Sequence, residues 1–319
     1  MEHLLDPVVL FFLLGILAGV ARSDLKIPQP LYETLSLYLL IAIGLKGGFA
    51  LQSVTAAAAF PPIAASLLLG IMIPLIAYFL LRKAAGFSNP DSAALAAHYG
   101  SVSAVTFAVV LGTLQKMDIP YEGIVTVLLV VLEVPAIMVA IVLSRVFEPG
   151  SEAVSWKKLM HEVFFGKSIF LLLGSMLIGF LTSAEHAEPI KRVFVEPFKG
   201  VLALFLLEMG LVTSRRIKDL RLAGPRLAVF ALGMPLISGF LGAWAGALCG
   251  LSLGGSAVLA TLAASASYIA APAAVRVAIP QANPAYYLTA SLGVTFPFNL
   301  TVGIPIYLFI TKLVFSWVR

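Results

Sequence analysis

Two stretches decide how this chain is read: SAALAAHYGSVSAVTFAVVLGTLQKMDIPYEGIVTVLLV at residues 92–130 and SAVLATLAASASYIAAPAAVRVAIPQANPAYYLTASLGV at residues 256–294. They align without a gap at an offset of 164 positions. Ser92, Ala93, Leu95, Ala96, Ser101, Ser103, Pro120, Leu128 and Val130 fall on Ser256, Ala257, Leu259, Ala260, Ser265, Ser267, Pro284, Leu292 and Val294. The alanine and leucine matches are cheap in an apolar chain. The paired Ser-x-Ser, with a shared proline seventeen residues after its second serine, is much less so. An internal repeat of half the chain length points to a membrane transporter built from two copies of one helical bundle.

Composition puts the chain in a membrane. Of its 319 residues 60% are apolar and 12% charged, half the charge of an ordinary soluble chain, and the mean hydropathy is +1.01. Uncharged runs cover 7–21, 47–81, 92–115, 168–184, 227–275 and 277–311. The run at 227–275 is too long for one span of about 20 residues and is expected to fold back at Cys249–Ser256. Glu2 and Asp6 stand where a cleavable signal would be basic, so the first apolar segment is read as a retained span. A single cysteine, Cys249, excludes an intrachain disulfide and carries no metal signal.

Ten spans are expected: about 6–22, 31–50, 60–82, 92–115, 121–145, 167–184, 198–214, 226–249, 254–276 and 285–311. Of the 21 lysines and arginines, Lys46 lies inside a span. Lys116, Lys191, Arg192, Lys199, Lys312 and Arg319 fall on one side, and the other fourteen on the opposite side. The positive-inside rule makes the richer side cytoplasmic and leaves both termini outside. The net charge of +5 is thus a topology signal and not a groove for nucleic acid. Five spans separate the two copies, an odd number, so the second copy crosses in the opposite sense. The fold class is therefore all-α membrane protein, with two inverted five-helix repeats at 1–150 and 167–319 joined by a cytoplasmic linker at 151–166. Gly44-Leu45 and Gly210-Leu211 form a weaker echo at an offset of 166.

The repeated segments have interiors unlike lipid-facing helix. The fourth span carries Gly100-Ser101-Val102-Ser103-Ala104. The ninth carries Ala263-Ala264-Ser265-Ala266-Ser267-Tyr268, then Ala271-Pro272. Small residues serve close helix packing on one reading. On the other, favoured because both copies share the feature, the helices break near the midplane. Broken ends survive there only when buried or lining a cavity, and their N-termini offer amides and a positive dipole end to an anion. Pro272 would free a backbone carbonyl.

Lys46, Glu133 and Glu208 sit within apolar stretches, where a charge is costly. Lys46, near a span end, is read as snorkelling. Glu133 in Leu132-Glu133-Val134-Pro135 lies nearer mid-span, as a cation ligand, a proton carrier or a structural hydrogen-bond partner. Glu208 faces a helix neighbour or a subunit interface. His98 is read as structural. Enzyme signatures are missing: His161-Glu162 lacks the second histidine of a zinc protease, and no Gly-x-Ser-x-Gly elbow occurs. Gly166-Lys167-Ser168 ends like a phosphate loop, but His161 stands at its first glycine. The chain is expected not to be an enzyme.

Ser265–Pro272, Ile279-Pro280-Gln281-Ala282-Asn283-Pro284, Thr295-Phe296-Pro297-Phe298-Asn299, Gly100–Ser103, Gly44–Gly48 and Glu133-Val134-Pro135 together resemble the sodium-dependent bicarbonate transporter family of cyanobacteria and other bacteria. The resemblance covers nearly the whole chain, and the Ile-Pro-x-Ala-Asn-Pro and Thr-Phe-Pro-Phe-Asn runs are its most specific parts. It implies a ten-span permease of the bacterial inner membrane, a core domain moving against a gate domain, and sodium-coupled bicarbonate uptake. It also implies contact with membrane lipid, a homotrimer and control by a PII-like cytoplasmic regulator. Carried over, the substrate site comprises Gly100, Ser101, Val102, Ser103, Ser265, Ala266 and Ser267. Glu133, Thr106, Tyr268 and Asn299 are the ion-coupling candidates, with sodium as coupling ion and no other cofactor. Gln281 replaces a family glutamate, and the linker is shorter than in cyanobacterial members, which weakens the case for the regulator. Two alternatives stand beside this reading: a permease for another small anion or monocarboxylate, proton-coupled through Glu133, and a membrane scaffold that binds a cytoplasmic regulator through Arg215–Arg226.

Overall fold

The computed structural model describes residues 6–147, 157, 161 and 165–318, and among them every regular element is helical. Helix starts follow from side chains that satisfy the free amides of a first turn. Asp6 accepts from Val8 N at 2.9 Å and opens α1 (Pro7–Val20). Thr55 opens α3 (Ala56–Phe79). Ser88 opens α4 (Asn89–Gly100), accepting from Asp91 N at 3.2 Å, and Ser103 opens α5 (Ala104–Lys116). Between these lies α2 (Gln29–Leu51), and after them α6 (Val125–Val146).

The second half runs through α7 (Lys167–Leu181), α8 (Ala184–Phe194), α9 (Phe198–Ala223), α10 (Pro225–Leu248), α11 (Leu253–Ala263), α12 (Ala270–Ala278) and α13 (Pro284–Val318). The expected fold-back is the short turn between α10 and α11, where Gly250 takes a φ of 84° that disfavours a side chain. Helix α8 was not anticipated. Its charges, Glu185, Glu188, Lys191 and Arg192, hide it from a hydropathy reading. It is held by Tyr38 Oη donating to Val193 O at 2.5 Å and by Lys191 over the Phe49 ring at 5.4 Å. Helix α13 is π-helical at Thr289–Thr295 and Asn299–Gly303. Among the described residues, six stretches are long and apolar enough to cross a membrane: 29–51, 56–85, 89–116, 125–146, 225–248 and 284–318. The expected linker at 151–166 lies almost wholly outside the described residues.

Glycines bring two helix pairs to backbone contact. A methyl group at Gly210 would lie 2.9 Å from Gly15 Cα and 2.8 Å from Ile16 N, so α9 packs directly on α1. On α2, a methyl at Gly44 would meet Leu172 O at 2.6 Å, and one at Gly48 would meet Gly179 C at 2.8 Å, so α2 packs as closely on α7. Close approach of this kind is how helices associate in lipid. The remaining long helices form a second bundle in which α3 and α4 pack on α6, and α11 and α13 pack on α10.

Candidate functional site

Both repeated segments leave the helix where small residues replace the lipid-facing type. Helix α4 ends at Gly100, residues 101–103 are extended, and α5 begins at Ala104. Helix α11 ends at Ala263, and α12 begins only at Ala270. Gly100 is explained by packing, since a methyl there would lie 2.7 Å from both Pro74 Cδ and Ala136 Cβ. Pro272 is the third residue of α12, where no intrahelical donor is required. It starts a helix here and does not break one.

The two crossings are bonded to each other. Ser103 N donates to Ser265 Oγ at 2.9 Å, and Ser265 Oγ donates to Leu262 O at 2.8 Å. Ser267 N donates to His98 O at 2.8 Å. The second serine of each pair caps the helix that follows: Ser103 Oγ accepts from Thr106 N at 3.1 Å, and Ser267 Oγ from Ala271 N at 3.2 Å. Thr106 Oγ1 donates to Ser103 Oγ at 3.0 Å, which in turn reaches Tyr268 Oη at 3.4 Å. Ser101 Oγ is buried and has no hydrogen-bond partner among the described residues.

Glu133 joins this constellation. Its side chain, only 7% exposed, lines one small cavity with Val102, Ser103 and Ala104 of the first crossing and Ser267, Tyr268 and Ile269 of the second. Leu129 of α6, Leu40 of α2 and Leu172 of α7 close it. The cavity measures about 20 Å³, room for one water-sized species. No lysine or arginine is among its lining residues. Ser101, Thr106, Ser265 and Ala266 are buried close by in the chain but are not on the wall. Asn299 is elsewhere: its Nδ2 donates to Ala264 O at 3.0 Å and its Oδ1 accepts from Tyr307 Oη at 2.7 Å. Its amide is committed to closing the end of α11. His98 Nδ1 donates to Ala94 O at 2.7 Å and its ring stacks on Tyr287, a structural arrangement. Glu208 of α9 is buried away from the cavity.

Sequence reasoning missed two features along the same route. A second, apolar cavity of about 10 Å³ shares Leu40, Ala104 and Ile269 with the first, and adds Ile43, Val105, Ala108 and Phe205. A larger cavity of about 370 Å³ also touches Ala108 and is lined by Lys46, Gly112, Thr113, Gln115, Glu196 and Lys199. The small residues Ala104, Ala108 and Gly112 recur every four positions, so one face of α5 runs the length of the route. That spacing was a usable signal. The lining from α2 and α9 was not, because it comes from distant sequence.

At each start of the repeated segments a carboxylate ties the two halves of the chain. Ser252 caps α11, accepting from Gly255 N at 3.1 Å, and donates to Glu122 through its amide at 2.5 Å and its hydroxyl at 3.1 Å. At α4, Asp91 accepts from Asn283 N at 2.8 Å. Gly255 stands at the repeat position of Asp91, so the second copy takes its acid from the Glu122 loop.

A helical membrane protein whose two interrupted helices meet a buried carboxylate in one cavity has the build of a transporter. The chain belongs to the Na+-dependent bicarbonate transporter superfamily, whose family model matches residues 7–312. No curated protein matches it. It is therefore a multi-pass membrane protein of a transporter family with a small anion as substrate, and not an enzyme.

Proposed function

We propose that the protein imports bicarbonate together with sodium through the cavity that Ser103, Ser267 and Glu133 share. The observation that carries this reading is the meeting of both crossings and one carboxylate at a single point. Bicarbonate is a planar monoanion. The N-termini of α5 and α12, with the unpartnered Ser101 hydroxyl close by, offer it amides, a positive dipole end and a hydroxyl. Glu133 supplies the coupling. A buried carboxylate without a basic partner in its cavity is ionised only beside a counter-charge, and sodium prefers oxygen ligands such as a carboxylate and serine hydroxyls. An anion entering beside Glu133 is repelled until a cation sits there, so sodium loads first and bicarbonate loads well only after it. Because the cavity holds one water-sized species, bicarbonate enters as α2 and α7 move away from the crossings.

The inverted repeat fits the helix contacts. Gly15 and Gly19 of α1 correspond to Ser175 and Gly179 of α7 at an offset of 160, and Gly44 and Gly48 of α2 to Gly210 and Ser214 of α9 at 166. Their contacts exchange in the same way: Gly210 meets Gly15 and Ser214 meets Gly19, while Gly44 meets Ser175 and Gly48 meets Gly179. We read α1, α2, α7 and α9 as the gate and the remaining long helices as the core, in ten spans with both termini outside. Exposed Leu68 and Val229 suit contact with lipid acyl chains. The homotrimer and the PII-like regulator rest on the family alone.

The test is uptake of labelled bicarbonate into proteoliposomes with an inward sodium gradient. Uptake is expected to collapse when choline replaces sodium, and uptake unchanged in choline rejects the coupling. Absence of bicarbonate uptake under both conditions rejects the substrate.

A further inference from the structure

We propose that the large cavity outside the apolar constriction is an anion-capture site, in which Lys46 and Lys199 hold a small monovalent oxyanion before it reaches the serines. Lys46 stands in the span of α2 (Gln29–Leu51), where an ammonium is expensive unless it faces a water-filled cavity and has work to do. It does not snorkel past the protein: its side chain is half-buried on the wall of the cavity, with Nζ 5.3 Å from the centre of the Phe198 ring. No carboxylate forms an ion pair with it among the described residues. Of the two acids on the wall, Asp6 is engaged by Lys116 at 3.8 Å, and Glu196 is exposed. Lys199 lines the same wall from α9. With Lys116 offsetting Asp6, Lys46 and Lys199 stand against Glu196 alone, and a net positive charge at a concavity with low-dielectric walls raises the local concentration of anions.

The position fits this role. The cavity is large enough for a hydrated anion, and it meets the constriction at Ala108, which both share. Beyond the constriction no basic residue lines the route. The two lysines thus sit at the last point where positive charge can select an anion, and the inner cavity, with Glu133, accepts it only alongside a cation. The inference rests on the reading of the inner cavity as a sodium-dependent site, which separates the two sites in experiment. Anion binding at the lysines needs no sodium.

The experiment titrates purified protein with bicarbonate in sodium-free choline buffer at constant ionic strength, gluconate making up the balance, and follows the melting temperature. Wild type and Lys46→Arg are expected to be stabilised. Lys46→Met is expected to weaken the apparent affinity about fivefold or more, and the exposed Lys199→Gln about two- to threefold. Sodium-dependent uptake in the same preparations should show KM raised in parallel with Vmax within about twofold of wild type. A wild type with no sodium-free response overturns the capture site, as does a response unchanged in both Lys46→Met and Lys199→Gln. Should Lys46→Met fail to fold, Lys199→Gln alone decides. Loss of sodium-dependent uptake in wild type overturns the transport reading and leaves the sodium-free titration to judge the lysines.

Discussion

Replacing Gly48 by alanine tests whether the α2–α7 contact is as close as the structure has it. The added methyl would meet Met176 O, lie 2.6 Å from Phe180 N and lie 2.8 Å from Gly179 C. All three are backbone atoms, so no side-chain rotation relieves them, and the helices must separate by several tenths of an ångström or more. Overpacking of this kind costs about 1–3 kcal/mol, to which the separated helices add lost dispersion contacts. Alanine's higher helix propensity returns about 0.8–1.0 kcal/mol. The net expectation is a loss of about 1–2 kcal/mol, or an apparent melting temperature lower by about 1.5–3 °C. Gly112→Ala is the internal control. It makes the same chemical change in α5, where nothing lies within 4 Å of the new methyl, so only the propensity gain of about 0.8 kcal/mol applies and the melting temperature should rise by about 1 °C. Both are read by thermal unfolding in detergent at matched lipid content. Gly48→Ala melting at or above wild type would refute the close packing.

Glu133→Gln keeps the side chain's shape and removes its charge, so uptake should fall at least tenfold and lose its dependence on sodium concentration; sodium dependence intact in this variant removes Glu133 from coupling. Ser265→Ala leaves the buried Ser103 amide without its acceptor, at a cost of about 1–3 kcal/mol, read as a lower melting temperature. Ser265→Leu should abolish uptake, and normal transport would take that position out of the site. Glu122→Ala deletes two hydrogen bonds to Ser252 and should cost about 2 kcal/mol, with Glu122→Gln retaining much of it. Equal melting of all three proteins would show that the tie contributes nothing.

Much of the architecture was legible because a membrane simplifies the code. An apolar run of the right length is a span, so the expected 121–145 and 226–249 differ from helices 125–146 and 225–248 by a few residues. The interruptions were legible because Ser-x-Ser is a poor lipid-facing surface and occurs twice. Even the Gly44 and Gly210 echo proved structural, each glycine sitting at a helix crossing. What hydropathy cannot say is which way a side chain faces. Ser101 and Ser265 were equivalent in the repeat, yet Ser265 bridges the crossings while the Ser101 hydroxyl has no hydrogen-bond partner among the described residues. Asn299 looked like an ion ligand, but its neighbours Ala264 and Tyr307 come from other turns and take both ends of its amide. Lys46 looked like a snorkelling residue because Lys199, its companion on the cavity wall, is far away in the chain. The π-helical turn at Thr289–Thr295 packs against α9 and α10, contacts that no local propensity records.

The apolar constriction between the two cavities bears on energy conservation. Its cavity measures about 10 Å³ and is lined by carbon, with Ser36 the one polar side chain, so it does not hold a water with the two to four partners that water needs. A file of hydrogen-bonded water therefore stops there, which breaks a proton wire along that path. On the proposed transport reading, a carrier idling in this conformation would then not drain the proton gradient by that path.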